Sequence, residues 1–154
     1  MKILIFTITL LLLFYTQSFA NYNLTLICSK NQYNEVKELI SELDEFEVNI
    51  RHVLPENISS SIKDNNIIII TTEKEQSFNF IKDKLPKSVQ DNISKDGYGK
   101  YVLLRDIWST GQEVVVIVGH DEKTVSLVRN KTESSWWPTV TNWFGISVQI
   151  VKPY

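Results

Sequence analysis

The order of apolar patterns along the chain predicts an α/β fold: a single α/β sandwich with a mixed sheet, in the order β-α-β-β-α-β-β-α-β. Three observations predict it. The β-branched runs "IIIITT" at 67–72 and "VVVIV" at 114–118 have the pattern of strands covered on both faces. Apolar residues at helical spacing follow several of the predicted strands. A tight polar turn, "STGQ" at 109–112, joins two strands into an antiparallel hairpin.

Each element has its own warrant. "LTLICS", Leu24 to Ser29, reads as a short strand. Val36, Leu39, Ile40, Leu43 and Phe46 then form one helical stripe, with Asn34 placed to cap its start and Glu35 and Glu38 in the first turn. "EVNIRHVL", 47–54, puts Val48, Ile50 and His52 on one face and is predicted as a half-exposed strand. A polar stretch leads to "IIIITT", expected near the middle of the sheet. Thr72 and Glu75 have the spacing of a capping box, and Phe78, Ile81 and Leu85 continue as a helix to Pro86, with a turn through Val89 and Ile93. The hairpin strands follow, at about 101–108 and 113–118. Asp121 stands at a helix N-cap, and Val125 and Val128 carry a short apolar stripe. "SSWWPTVTNWFG" shows little regular period, and "ISVQIV", 146–151, is expected as a last strand.

The first twenty residues, MKILIFTITLLLLFYTQSFA, join one positive residue, an apolar run from Ile3 to Tyr15, and small residues at Ser18 and Ala20. That is the pattern of a secretory signal at 1–20, leaving 21–154 as a single α/β domain with no membrane span in the mature chain. Removal of Lys2 leaves 15 basic against 18 acidic residues, a balance of −3 spread along the chain, which argues against a nucleic-acid partner. Cys28 is the only cysteine, so the fold stands without an internal disulfide. A buried, inert thiol is expected there, because a nucleophile needs a polarising histidine beside it.

The densest chemistry is "EVVVIVGHDEKT", 113–124, where His120, Asp121 and Glu122 follow a strand. A strand handing over to a helix needs a flexible corner and an acceptor for the first free amides, and Gly119 and Asp121 supply both. Only His120 is left unassigned. His52 lies far away in sequence, on an alternating strand, and no metal-ligand spacing, serine triad order or phosphate-binding glycine pattern is present. No catalytic residue, metal or cofactor is therefore assigned; an enzyme built on His120 with Asp121 or Glu122 is the minor alternative.

Two further sets of residues point outward. Asn23, Asn57, Asn92 and Asn130 each begin an Asn-x-Ser/Thr triplet and are candidate N-glycosylation sites. Trp136, Trp137, Trp143 and Phe144 flank Pro138. They are expected either to close one side of the core or to form an exposed aromatic platform for sugar rings or a neighbouring subunit.

"KYVLLRDIWSTGQEVVVIVGHDEKTVSLVRN", 100–130, resembles the hairpin-plus-helix segment of domains in archaeal S-layer and related cell-surface proteins, with "IIIITTEKE", 67–75, as an upstream continuation. Comparable segments occur in non-catalytic domains that accompany some glycoside hydrolases. The chain departs from the pattern at "DIWSTG", which stands where those domains carry a proline-containing turn, and at Val125 and Ser126, which replace a Gly-Thr. The resemblance implies a module that builds or decorates an envelope, with Gly119 and Asp121 in structural roles. The expected function is therefore that of an exported, non-enzymatic surface protein that assembles with other surface subunits or with itself, the alternative being a secreted carbohydrate-binding module that uses the tryptophans.

Overall fold

The computed structural model describes residues 23–59 and 66–146. Within them lie β1 (Asn23–Ile27), α1 (Lys30–Ser41), β2 (Asn49–Val53), β3 (Asn66–Thr72), α2 (Gln76–Ile81), α3 (Lys87–Gln90), β4 (Gly99–Arg105), β5 (Glu113–Gly119) and α4 (Glu122–Asn142). The strands form a mixed five-stranded sheet in the order β2-β1-β3-β5-β4. The β1, β2, β3 and β5 strands run parallel, and β4 is antiparallel to β5, as the hairpin reading requires. The predicted signal at 1–20 lies outside the described residues, as does the predicted last strand apart from Ile146.

The register explains why the central strands are apolar without interruption. Leu26, Ile68, Val115 and Leu103 align across four strands and face α1 and α4. One residue further on, Val53, Ile27, Ile69, Val116 and Val102 align across all five and face α2 and α3. With helices on both faces, every β3 residue from Ile67 to Thr72 is buried.

Helix starts and ends correct three expectations. The α1 helix is capped by Ser29 rather than Asn34. The Ser29 hydroxyl accepts from the Gln32 N–H, and the Gln32 side chain accepts from the Ser29 N–H, a reciprocal box that starts the helix at Lys30, six residues before the stripe begins at Val36. The helix stops at Ser41, and a 3₁₀ segment follows, so Leu43 is buried but Phe46, expected in the stripe, is 48 % exposed. At Thr72 only half of the expected box forms: Glu75 accepts from the Thr72 N–H at 2.6 Å, but Glu75 itself precedes the first helical residue.

The largest difference is α4. It runs through the segment expected to be irregular, across Pro138, for 21 residues. Its buried stripe contains Val125, Arg129, Trp136 and Val140, so the middle of the stripe is polar. Arg129 is tolerated there because its stem is covered while its guanidinium bonds to Glu35 of α1 at 2.5 Å and to Asn130. Its carbonyl also accepts from the Trp136 indole N–H at 3.2 Å.

Close approach, not conformation, demands glycine at 119. A Cβ there would stand 2.8 Å from the Val125 backbone nitrogen and 2.9 Å from its Cγ2. Because the nearest obstacle is backbone, Gly119→Ala is expected to cost about 1–3 kcal/mol. A fall in the urea midpoint with an unchanged slope is the measurement that checks it.

Candidate functional site

Four parallel strands deliver the chain to the same end of the sheet, and the cysteine and both histidines lie toward that end. The switch in topology lies at β1, which has β2 on one side and β3 on the other, with α1 and α2 leaving toward opposite faces. Beyond the strand ends lies an open crevice of about 450 Å³, lined by Ser29, Lys30, Leu54, Pro55, Glu56, Glu75 and Gln76. A second cavity, of about 520 Å³, shares Lys30 and Leu54 and extends along β2 to Tyr33, Asn34, Arg51, His52, Val53 and Asn57.

Sequence separation hid the closeness of Cys28 and His52. The His52 Nε2 lies 3.6 Å from Cys28 Sγ and 3.0 Å from the Cys28 carbonyl oxygen, and the ring stacks on Tyr33 at 4.3 Å between centroids. A ring nitrogen facing a carbonyl at that distance must carry the proton, so Nε2 is a donor and does not take the proton of the thiol. Burial pushes the Cys28 thiol up to about 12, and the Glu75 carboxylate acts in the same direction. The pair holds β1 to β2; it is not an activated nucleophile.

At the end of β5, Gly119, His120 and Asp121 form the predicted corner. The Asp121 carboxylate accepts from the Thr124 N–H at 2.7 Å, and Glu122 sits exposed in the first turn. The His120 N–H donates to the Tyr98 carbonyl at 2.9 Å, and its Nδ1 lies at ion-pair distance, 2.9 Å, from Glu73 Oε1. The carboxylate against His120 is thus Glu73, from just beyond β3, and Asp121 is spent on its cap. Among the described residues no group of three His, Cys, Asp or Glu side chains could hold a metal ion.

The aromatic set does not form a platform. Trp136 is fully buried, Trp137 and Phe144 are buried, and all three belong to the core between α1, α4 and the sheet. Trp143 is half-buried, and its indole N–H donates to Glu113 at 2.5 Å. Trp136 and Trp137 pack edge to face at 5.6 Å, a core contact. Of the glycosylation candidates, Asn23, Asn57 and Asn130 are exposed. Asn92 is half-buried, and its amide donates to the Ser88 carbonyl at 2.6 Å.

A different surface stands out on the opposite side of the sheet. The central residues of β4, Tyr101 to Leu104, are apolar on both faces yet only half-buried, and no described strand pairs with the outer side of β4. Beside it, Lys100, Tyr101, Leu127, Val128 and Lys131 help line a groove of about 410 Å³ between β4 and α4. Leu127 is 49 % exposed. Among the described residues no helix is long and apolar enough to cross a membrane.

Protein-family models, curated proteins and solved structures offer no match to this chain.

Two measurements test these assignments. Native protein at pH 8 is expected to resist thiol reagents at Cys28 and to react at once in denaturing urea. Rapid native labelling would show an accessible thiolate. Asp121→Ala is expected to lower stability at neutral pH. Thr124 holds the Asp121 carboxyl below the usual carboxylate range, so the cap contributes above the unfolded value of about 3.9 and is lost as pH falls through the native one. The gap between wild type and variant in urea midpoint should therefore close in acid.

Proposed function

We propose that this chain is an exported, non-enzymatic α/β domain that acts at the cell exterior by associating with further copies of itself or with other surface subunits. The observation that carries the reading is the β4 edge. Its four central residues, Tyr101 to Leu104, have the all-apolar pattern of a strand covered on both sides, but among the described residues its outer side has no strand. An incoming strand would gain main-chain hydrogen bonds along this edge and apolar contact with Leu127 across the adjoining groove.

Three observations support the rest of the reading. The apolar opening segment supports export. Exposed Asn23 and Asn130 suit a glycosylated exterior protein. Cys28, His52 and Asp121 are already engaged in holding the fold, which favours a binding role over catalysis.

Residues 21–154 are expected to gain mass with concentration in light scattering or to bind isolated envelope. Leu127→Lys should weaken that association about tenfold, a loss of roughly 1.4 kcal/mol, while changing fold stability by less than about 0.5 kcal/mol. A protein that stays monomeric at every concentration and ignores envelope would sink the reading.

A further inference from the structure

The cavity between α1 and β2 takes no part in association through β4. Its volume, about 520 Å³, falls within the range of small-molecule sites. Lys30, Asn34, Arg51 and Asn57 bring N–H donors to its lining, and among the described residues no carboxylate lines it. Neither Lys30 nor Arg51 belongs to an ion pair among the described residues. The cavity thus gathers four donor side chains, two of them cations without an ion pair among the described residues, in a protein of net negative charge.

The adjoining backbone reinforces that polarity. The N–H groups of Gln32 and Tyr33 are satisfied by Ser29, leaving those of Lys30 and Asn31 as the remaining first-turn donors of a 12-residue helix. The Tyr33 and His52 rings, stacked at 13° to one another, form a rigid wall. On the far side of Lys30 the first crevice holds Glu56 and Glu75, and Glu75 is tied to the Thr72 N–H. Their charge confines an anion to the Arg51 side.

We propose that this cavity binds a small organic molecule through an anionic group, a phosphate or a carboxylate, set against Lys30 and Arg51, with its body along Tyr33 and Asn57. A lone inorganic anion would leave most of the volume unfilled, so the organic part contributes to binding.

The test uses residues 21–154 made without glycan, titrated with glucose 6-phosphate, glucuronate, inorganic phosphate and neutral glucose, and read from the Lys30 and Asn31 amide resonances. Saturable shifts with at least one anionic sugar, none with glucose, and weaker binding of inorganic phosphate are expected. The tighter of the two sugar anions identifies the group. Lys30→Gln combined with Arg51→Gln should raise the Kd at least tenfold in a protein whose amide spectrum remains folded. Absence of saturable shifts, equal shifts with glucose, equal affinity for inorganic phosphate, or an unchanged Kd in the double variant would each overturn the proposal.

Discussion

The structure depends on covering both faces of β3. Ile67 and Ile69 look toward α2 and α3, and Ile68 and Ile70 look toward α1 and α4. A strand apolar on both faces is best covered on both sides, and in this sheet β1 and β5 flank it while helices close it above and below. Once the neighbours run parallel to it, their chains all emerge at one end and require helix starts there. Ser29 and Asp121 are the two side-chain caps that answer this need. Their position at the carboxyl ends is thus a consequence of the core.

The same demand accounts for the tryptophans. The α4 helix must cover β5, β3 and part of β4 while packing against α1, and its stripe turns polar at Arg129. Trp136 fills the space beyond that point, with its indole proton satisfied by the Arg129 carbonyl. The Glu35–Arg129 pair then joins the two helices at the place where apolar packing gives out. Trp136, Trp137 and Phe144 are thus committed to the core rather than to an exposed platform.

Much of this was legible in the chain. The continuous β-branched run of 67–72 placed β3 correctly, the "STGQ" turn specified the hairpin, and Gly119 with Asp121 specified the corner, because each signal lies within a few residues. The Ser29 box was equally local, but a downstream stripe drew the start of α1 to Asn34. The length of α4 was hidden for a physical reason: Arg129 occupies a buried position only because Glu35, 94 residues away, receives it. The open-end cavities were illegible for the same reason. Lys30 meets Arg51 and Asn57, and Cys28 meets His52, through the pairing of β1 with β2, and no local pattern encodes which strand lies beside which.

The two edges of the sheet differ in a way that separates the two proposed activities. On β2, exposed Asn49 and Arg51 alternate with more buried residues, and a charged side chain on an edge opposes the addition of another strand. On β4 the apolar residues are consecutive, and the charged ones, Lys100 and Arg105, stand near the strand ends. Strand pairing is therefore favoured at β4 and disfavoured at β2. Since β2 and β4 are the outermost strands among the described residues, separated by β1, β3 and β5, a partner on β4 would leave the cavity beside β2 open. The proposed association and the proposed ligand capture are thus compatible on one copy, because the sheet that buries β3 also holds the two surfaces apart.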